Sequence, residues 1–405
     1  MNKTIFCGHA RRNALAQLIR VMSLAAVTIN AKPLHADSNS RTDRHSDSDN
    51  YPSVIAGTKL SFPRDHGAHP EFRIEWWYLT AWLQSNSGPL GLQLTFFRSR
   101  TPYGRNNPSR FAPRQLIFAH AAIADPEHGS LLHAEQAWRI DPVTASYKET
   151  DTGIFTGSPA QRWSLRRSAD DHYHASVRDG VFDFDIVAVP DSKPILQGDA
   201  GFSPKGPEAA QASYYYSRPQ LSVSGYIKLN KQKLSVYGKA WLDHEWSSEL
   251  LDSRATGWDW VGLNFTNGDA LMAFRMRTHN DDVLHSTARL IKANNVSSKQ
   301  TRSKTEQQTQ DYPVVFSVLR HWQSPRTGAI YPVAMRLRAG ELDLTLEPLI
   351  DDQELDSRGS TGIIYWEGAV RAWLTTDIDD TNNGNRPTIA TGYLELTGYA
   401  GDVLF

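Results

Sequence analysis

Alternation with a period of two, carried by aromatic and β-branched residues, runs through this chain from Tyr51 onward and leaves room for little but sheet. Glu75–Leu83 (EWWYLTAWL), Leu90–Phe97 (LGLQLTFF), Val181–Val189 (VFDFDIVAV), Leu221–Leu229 (LSVSGYIKL) and Leu234–Trp241 read as strands. Turn residues at Ser85–Pro89, Asp179–Gly180 and Asn230–Lys233 separate them, and the last of these joins two strands into one hairpin. No long segment spaces its apolar residues at the helical period. The expected class is therefore all-β, built as a sandwich or barrel.

A chain of 405 residues exceeds one ordinary core and points to two domains. A repeat supports this division. Ile74–Arg100 (IEWWYLTAWLQSNSGPLGLQLTFFRSR) can be laid beside Gly257–Arg277 (GWDWVGLNFTNGDALMAFRMR): each opens on Trp, turns through Gly and ends in an apolar strand with two Arg. A weaker echo pairs Gly225–Gly238 with Gly392–Gly401. The domains expected are residues 51–250 and 251–405, with Asn294–Gln310 a long polar loop in the second.

The net charge of -1 gives no basic field, so a nucleic-acid partner is not expected. Residues 1–36 resemble an export signal: Lys3, Arg11, Arg12 and Arg20 precede the apolar run Val21–Val27, and Leu34-His35-Ala36 resembles a small-residue cleavage site. Arg11-Arg12 hints at a twin-arginine leader. That run is too short to cross a bilayer, so no integral span is expected in the mature chain. Residues 37–50 are polar and charged, as in a disordered tether. The expected location is periplasmic or secreted. The single Cys, Cys7, falls within the leader, which leaves the mature chain without disulfide or thiol chemistry.

Ionisable residues concentrate among indoles in Tyr237–Arg277, where Asp243, His244, Glu245 and Asp259 stand close in sequence to Trp241, Trp246, Trp258 and Trp260. Burying such groups costs free energy unless they are paired or employed, although the Trp side chains serve a core equally well. Asp243 and Glu245 are expected on opposite faces of an extended segment, so that at most one shares the surroundings of His244. Glu75 is expected buried and paired with an Arg. Tyr214, Tyr215 and Tyr216 alternate faces, so only part of the triplet can line a cavity. His66-x-x-His69 lies in a Gly/Pro loop without a third ligand nearby, and no metal or cofactor is expected. There is no G-x-S-x-G elbow. A glycosidase using Glu245 and Asp259 stays open on residue type alone.

The blocks DHGAHPEFRIEWWYLTAWL, RFAPRQLIFAHAAIAD, KPILQGDAGFSPKGPEAAQASYYYSRPQLSVSGYI, YGKAWLDHEWSS, GWDWVGLNF, YWEGAV and GYLELTGYAG together resemble the AttH/carotenoid 1,2-hydratase-like family. The resemblance implies two tandem lipocalin-like β-barrel domains, usually exported. It also implies a hydrophobic small molecule or lipid (isoprenoid or polyene) as ligand. In the hydratase branch the chemistry is acid-catalysed addition of water to a terminal isoprenoid double bond. Such a step needs a carboxylic acid kept protonated, a base to direct water and aromatic faces beside the cation. Carried onto this sequence, the acid is Asp259, the base His244 and the cation wall Trp246, with Gly257 standing where the hydratases place an aromatic ahead of the acid. Trp76, Tyr78, Tyr215, Trp241, Trp258 and Trp260 are the expected ligand-binding residues. The alternative is a non-catalytic carrier or adaptor serving ABC transporter components. The enzyme reading requires His244 and Asp259 to face one cavity near the domain seam.

Overall fold

The structure is a computed structural model that describes residues 51–101, 109, 112–249, 251–293, 307–375 and 386–401. The leader, the tether and most of the 294–310 loop expected from the sequence lie outside the described residues; Thr309 and Gln310 belong to a strand.

Two antiparallel sheets account for nearly all of the regular structure. The first contains β1 (Ile74–Ser85), β2 (Gly88–Arg100), β3 (Gln115–Ala124), β4 (Leu131–Arg139), β5 (Ala145–Tyr147), β6 (Gly153–Thr156), β7 (Trp163–Arg167), β8 (Tyr173–Arg178), β9 (Phe182–Val189), β10 (Ile195–Leu196), β11 (Phe202–Pro204), β12 (Ala212–Leu229) and β13 (Gln232–Ser247). Its order is β4-β3-β2-β1-β13-β12-β9-β8-β7-β6-β5, and it curls into a nearly closed barrel. The second contains β14 (Gly257–Phe265), β15 (Ala270–Arg277), β16 (Val283–Ile291), β17 (Thr309–Tyr312), β18 (Val314–Gln323), β19 (Ile330–Ala339), β20 (Leu342–Pro348), β21 (Glu354–Asp356), β22 (Ile364–Leu374) and β23 (Ala390–Leu396). Its order is β17-β16-β15-β14-β23-β22-β20-β19-β18, forming a half-barrel. The all-β, two-barrel lipocalin-like architecture is thus observed.

The hairpin expected around Asn230 is present, with longer strands than its sequence pattern marks. Asn230 (φ 48°) and Lys231 (φ 69°) form its two-residue turn, matching the twist of β12 and β13. The main repeat is real at the level of topology. β1 lies between β2 and β13, and β14 lies between β15 and β23. The weaker echo is not repeated in three dimensions: Gly225–Gly238 spans a complete hairpin, whereas Gly392–Gly401 is the end of one strand and the loop after it.

Alternation decides what each strand offers to which layer. On β1, Trp77, Leu79, Ala81 and Leu83 enter the first core, as do Ala240 and Leu242 of β13. On β14, Val261 and Leu263 enter the second core. The opposite faces of these strands meet in a third cluster, where Tyr78, Tyr215 and Trp241 pack against Trp260, Met272, Phe274, Met276 and Tyr393. Gly262 makes this approach feasible, because a Cβ there would stand 3.0 Å from the Trp241 ring. Hydrogen bonds fix the register of the seam: Gln220 donates its backbone N–H to Asn264 (2.7 Å), and Asn264 donates to the Ala240 carbonyl (3.2 Å).

Candidate functional site

Three polar clusters arise from this layering, one inside each barrel and one between them. His244 stands on the same face of β13 as Leu242 and therefore points into the first barrel. Its Nε2 lies 2.9 Å from Glu75 Oε1, and its Nδ1 lies 3.2 Å from the Tyr216 hydroxyl. Tyr216 also meets His66 Nδ1 at 2.8 Å. Glu75 is the hub, for its Oε1 also meets His69 Nδ1 (2.8 Å) and its Oε2 accepts from Arg98 Nε (2.7 Å). His69 Nε2 completes the chain on Asp65 Oδ1 at 3.2 Å.

The protonation states follow from this geometry. Both ring nitrogens of His69 face carboxylates, so both must donate and the ring is imidazolium. Burial would lower its pKa, but the bonds to Asp65 and Glu75 outweigh burial and raise it. Burial likewise works against ionised Glu75, yet Arg98, His244 and His69 hold its pKa well below the usual range. His66 and His244 are neutral because burial lowers them, His66 to about 3. Trp246 stacks on His69 at 3.7 Å and Trp77 on His244 at 4.7 Å. His69, Glu75 and His244 place ligand atoms within 4.8 Å of one another, close enough to consider a metal. Arg98 already pairs with Glu75, and both ring nitrogens of His69 are engaged by Glu75 and Asp65, so the donor set fits a closed hydrogen-bond chain better. Glu75 stands close to His69 in sequence, but His244 and Arg98 join the cluster only through the pairing of β13 and β2 with β1, which sequence spacing does not show.

Asp259 points the other way, into the second barrel. It pairs with Arg275, accepts from the Tyr399 hydroxyl at 3.0 Å and lies 3.3 Å from Arg277 Nε. The expected partnership of His244 with Asp259 is therefore not formed. They face separate interiors, with the seam layer between them, because each occupies an inward position of its own strand. Trp246 lies with His244 in the first barrel and cannot serve as a wall for chemistry at Asp259. The glycosidase pairing of Glu245 with Asp259 is divided in the same way, Glu245 being on the seam face and in an ion pair with Lys205 at 3.0 Å.

The six expected ligand-binding residues do converge. Trp76, Tyr78, Tyr215, Trp241, Trp258 and Trp260 all belong to the seam cluster. Asp243 joins them, accepting from Ser217 (2.5 Å), Tyr215 (2.7 Å) and Trp241 (2.7 Å). Burial nonetheless pushes its pKa up to about 7. Asp243 and Glu245, expected on opposite faces, share the seam face, as residues two apart on a strand must. Tyr215 faces the seam, while Tyr214 and Tyr216 turn inward.

Sequence reasoning missed two seam carboxylates, Glu367 and Glu395, although both stand in the family blocks YWEGAV and GYLELTGYAG. They are direct cross-strand partners on β22 and β23. Burial and its neighbour Glu395 push Glu367 well above the carboxylate range; burial, with Asp243 and Glu245 nearby, pushes Glu395 up to about 8. Like charges directly opposite each other are unfavourable, so the pair retains at least one proton at neutral pH. Glu395 accepts from Trp258 Nε1 at 3.1 Å, and the hydroxyls of Tyr78 and Tyr365 flank Glu367. A cavity of about 460 Å³ opens at the seam edge, between Gln197–Pro204 of the first barrel and Met272, His285 and Arg289 of the second.

This pair of facing β-barrels defines the protein's class. The AttH-like family profile matches residues 53–399, and the chain belongs to that family. Among solved structures it is similar to a Nitrosomonas europaea protein assigned to AttH, with 42% identity over 86% of this chain and 99% of that one and a TM-score of 0.73. It shares its fold with kievitone hydratase of Nectria haematococca, at 13% identity, 87% and 97% coverage and a TM-score of 0.60. A search of curated protein sequences gives no match. Among the described residues, no helix is long and apolar enough to cross a membrane.

Proposed function

We propose that the seam binds a hydrophobic isoprenoid or polyene ligand and adds water across its double bond by acid catalysis, with Glu395 as the acid in place of Asp259. The observation that carries this reading is the Glu367–Glu395 pair, in no ion pair among the described residues and set beside Trp258, Trp260 and Tyr78. A carboxylic acid kept neutral at physiological pH by its surroundings is what protonation of an alkene requires. Glu395 delivers its proton to the less substituted alkene carbon, and a tertiary cation forms against the indole faces. Water then bonds to the cationic carbon, and the proton it sheds returns to the carboxylate pair. The net change is alkene plus water to tertiary alcohol. The hydratase fold shared with the kievitone enzyme supports the chemical class. The export signal expected in residues 1–36 supports a periplasmic or secreted setting for this reaction.

The test uses the purified chain with geraniol as probe in water enriched in oxygen-18, followed by mass spectrometry of the tertiary alcohol. The expected result is enzyme-dependent label incorporation that Glu395→Gln reduces at least tenfold. Infrared difference spectra at neutral pH should show a protonated carboxyl band that the same substitution removes. Absence of that band in the wild-type protein, or incorporation unchanged by E395Q, would leave the acid role without support. A bound apolar molecule recovered without any turnover would favour the carrier alternative.

A further inference from the structure

The second barrel holds an arginine pair whose counterpart in the first barrel is sealed. Glu75 lies directly opposite Arg98 on β1 and β2, and Asp259 lies directly opposite Arg275 on β14 and β15. Two residues further on stand Arg100 and Arg277. In the first barrel the segment at 69–72 covers these arginines: Arg98 donates to the carbonyls of His69 (2.9 Å) and Phe72 (3.0 Å), and Arg100 donates to that of Glu71 (2.8 Å). The buried charges also balance there, with Arg98 and imidazolium His69 against Glu75 and Asp65.

Among the described residues the second pair is covered less completely: Arg277 donates to the Thr397 carbonyl (2.6 Å) and lies over the Tyr399 ring (4.1 Å). Arg275 and Arg277, 6% and 4% exposed, line a cavity of about 280 Å³ together with His279, His321, Asp281 and Tyr399. Inside it, two guanidiniums face one buried carboxylate, Asp259, which leaves a surplus of one positive charge. Arg277 Nε forms no geometrically sound hydrogen bond. Among the described residues the further acidic group in reach is Asp281, an exposed loop residue at 4.0 Å from Arg275 and 3.8 Å from Arg277. Those distances are long for charge-assisted hydrogen bonds, so Asp281 answers the charge without filling the donor positions.

We infer that the mouth of the second barrel is a binding site for a small oxyanion, a carboxylate or a phosphate, held by Arg275 and Arg277, with Asp281 occupying its place in the free protein. Guanidinium forks match the planar, multidentate acceptors of such groups, and a partly desolvated cavity strengthens the pairing. This site is separate from the seam and does not depend on its chemistry.

Isothermal titration calorimetry on the full chain tests the assignment, with inorganic phosphate and hexanoate as probes. Wild-type protein should bind at least one of them. Removing the competing loop carboxylate in Asp281→Asn should tighten binding by about threefold, the scale of an exposed ion pair. Arg277→Gln should weaken it at least tenfold. Binding of hexanoate alone identifies a carboxylate with an apolar tail as the ligand class, and binding of phosphate alone identifies a free phosphate or phosphomonoester. Because Asp281 is exposed, D281N tests the site even if R277Q fails to fold. No binding of either probe to both wild type and D281N, or binding unchanged by D281N, overturns the inference.

Discussion

In the first barrel the carboxylate of Glu75 answers one guanidinium and two imidazoles, and a chain segment closes over them. In the second barrel, Asp259 at the matching register answers two guanidiniums and a tyrosine hydroxyl beneath an open mouth. Leu394 faces the second core on the strand that corresponds to the one carrying His244 in the first. One carboxylate–arginine pair across a hairpin thus ends as a closed internal chain in one copy and as an unfinished charge cluster in the other. The difference teaches that the pair itself serves the fold. What distinguishes the copies is the group that supplies the remaining charge, a covering segment in one and an exposed loop residue in the other.

The largest expected effect concerns the hubs. Glu75→Gln leaves Arg98 and imidazolium His69 without their carboxylate in a dry interior and should cost about 3–5 kcal/mol in denaturant unfolding. Asp259→Asn removes the matching carboxylate, but beside a cavity that admits water, and should cost about 1–3 kcal/mol. Equal costs would break the comparison, since hydration of the open mouth would then count for nothing.

A smaller effect sets His66 and Glu75 apart from His69 and the seam carboxylates by pH. His66 and Glu75 have lowered folded pKa values, so their contributions are full above the unfolded values, about 6.5 and 4.5, and are lost on acidification. His69 is raised, so its contribution is full below about 6.5 and is lost as pH rises through its folded value. Asp243 and Glu395 are raised to about 7 and about 8, so their contributions are full below about 4 and fade as pH climbs through those values. Glu395→Gln should therefore flatten the alkaline limb by on the order of 1–3 kcal/mol, read from unfolding curves on either side of neutrality. An alkaline limb as steep as that of the wild type would place the titrating group elsewhere.

The smallest effect lies in the turns. The second barrel joins β19 and β20 through Gly340 (φ 58°), whereas the first uses Asn230 and Lys231, both at positive φ. Replacing Lys231 by Gly should stabilise the protein by about 0.5–1 kcal/mol in thermal unfolding, because glycine enters that region without steric cost. No change would mean that the first barrel's turn is already relaxed.

Much of this organisation was legible in the chain itself. Period-two alternation specified sheet, because strand faces alternate regardless of what lies beyond them, and the repeat Ile74–Arg100 with Gly257–Arg277 pointed to two related β-domains, while the barrel form came from the family resemblance. The aromatic residues of the seam could be named for the same reason. What the sequence left open was which carboxylates share a space. His244 and Asp259 are close along the chain and aromatic in context, yet each takes the inward face of its own sheet. Glu367 and Glu395 are distant in sequence and meet only through β22–β23 pairing. Residue type and local period determined which side chains are buried; long-range register and the packing of one sheet on another decided which charges are answered, and hence which protons are held.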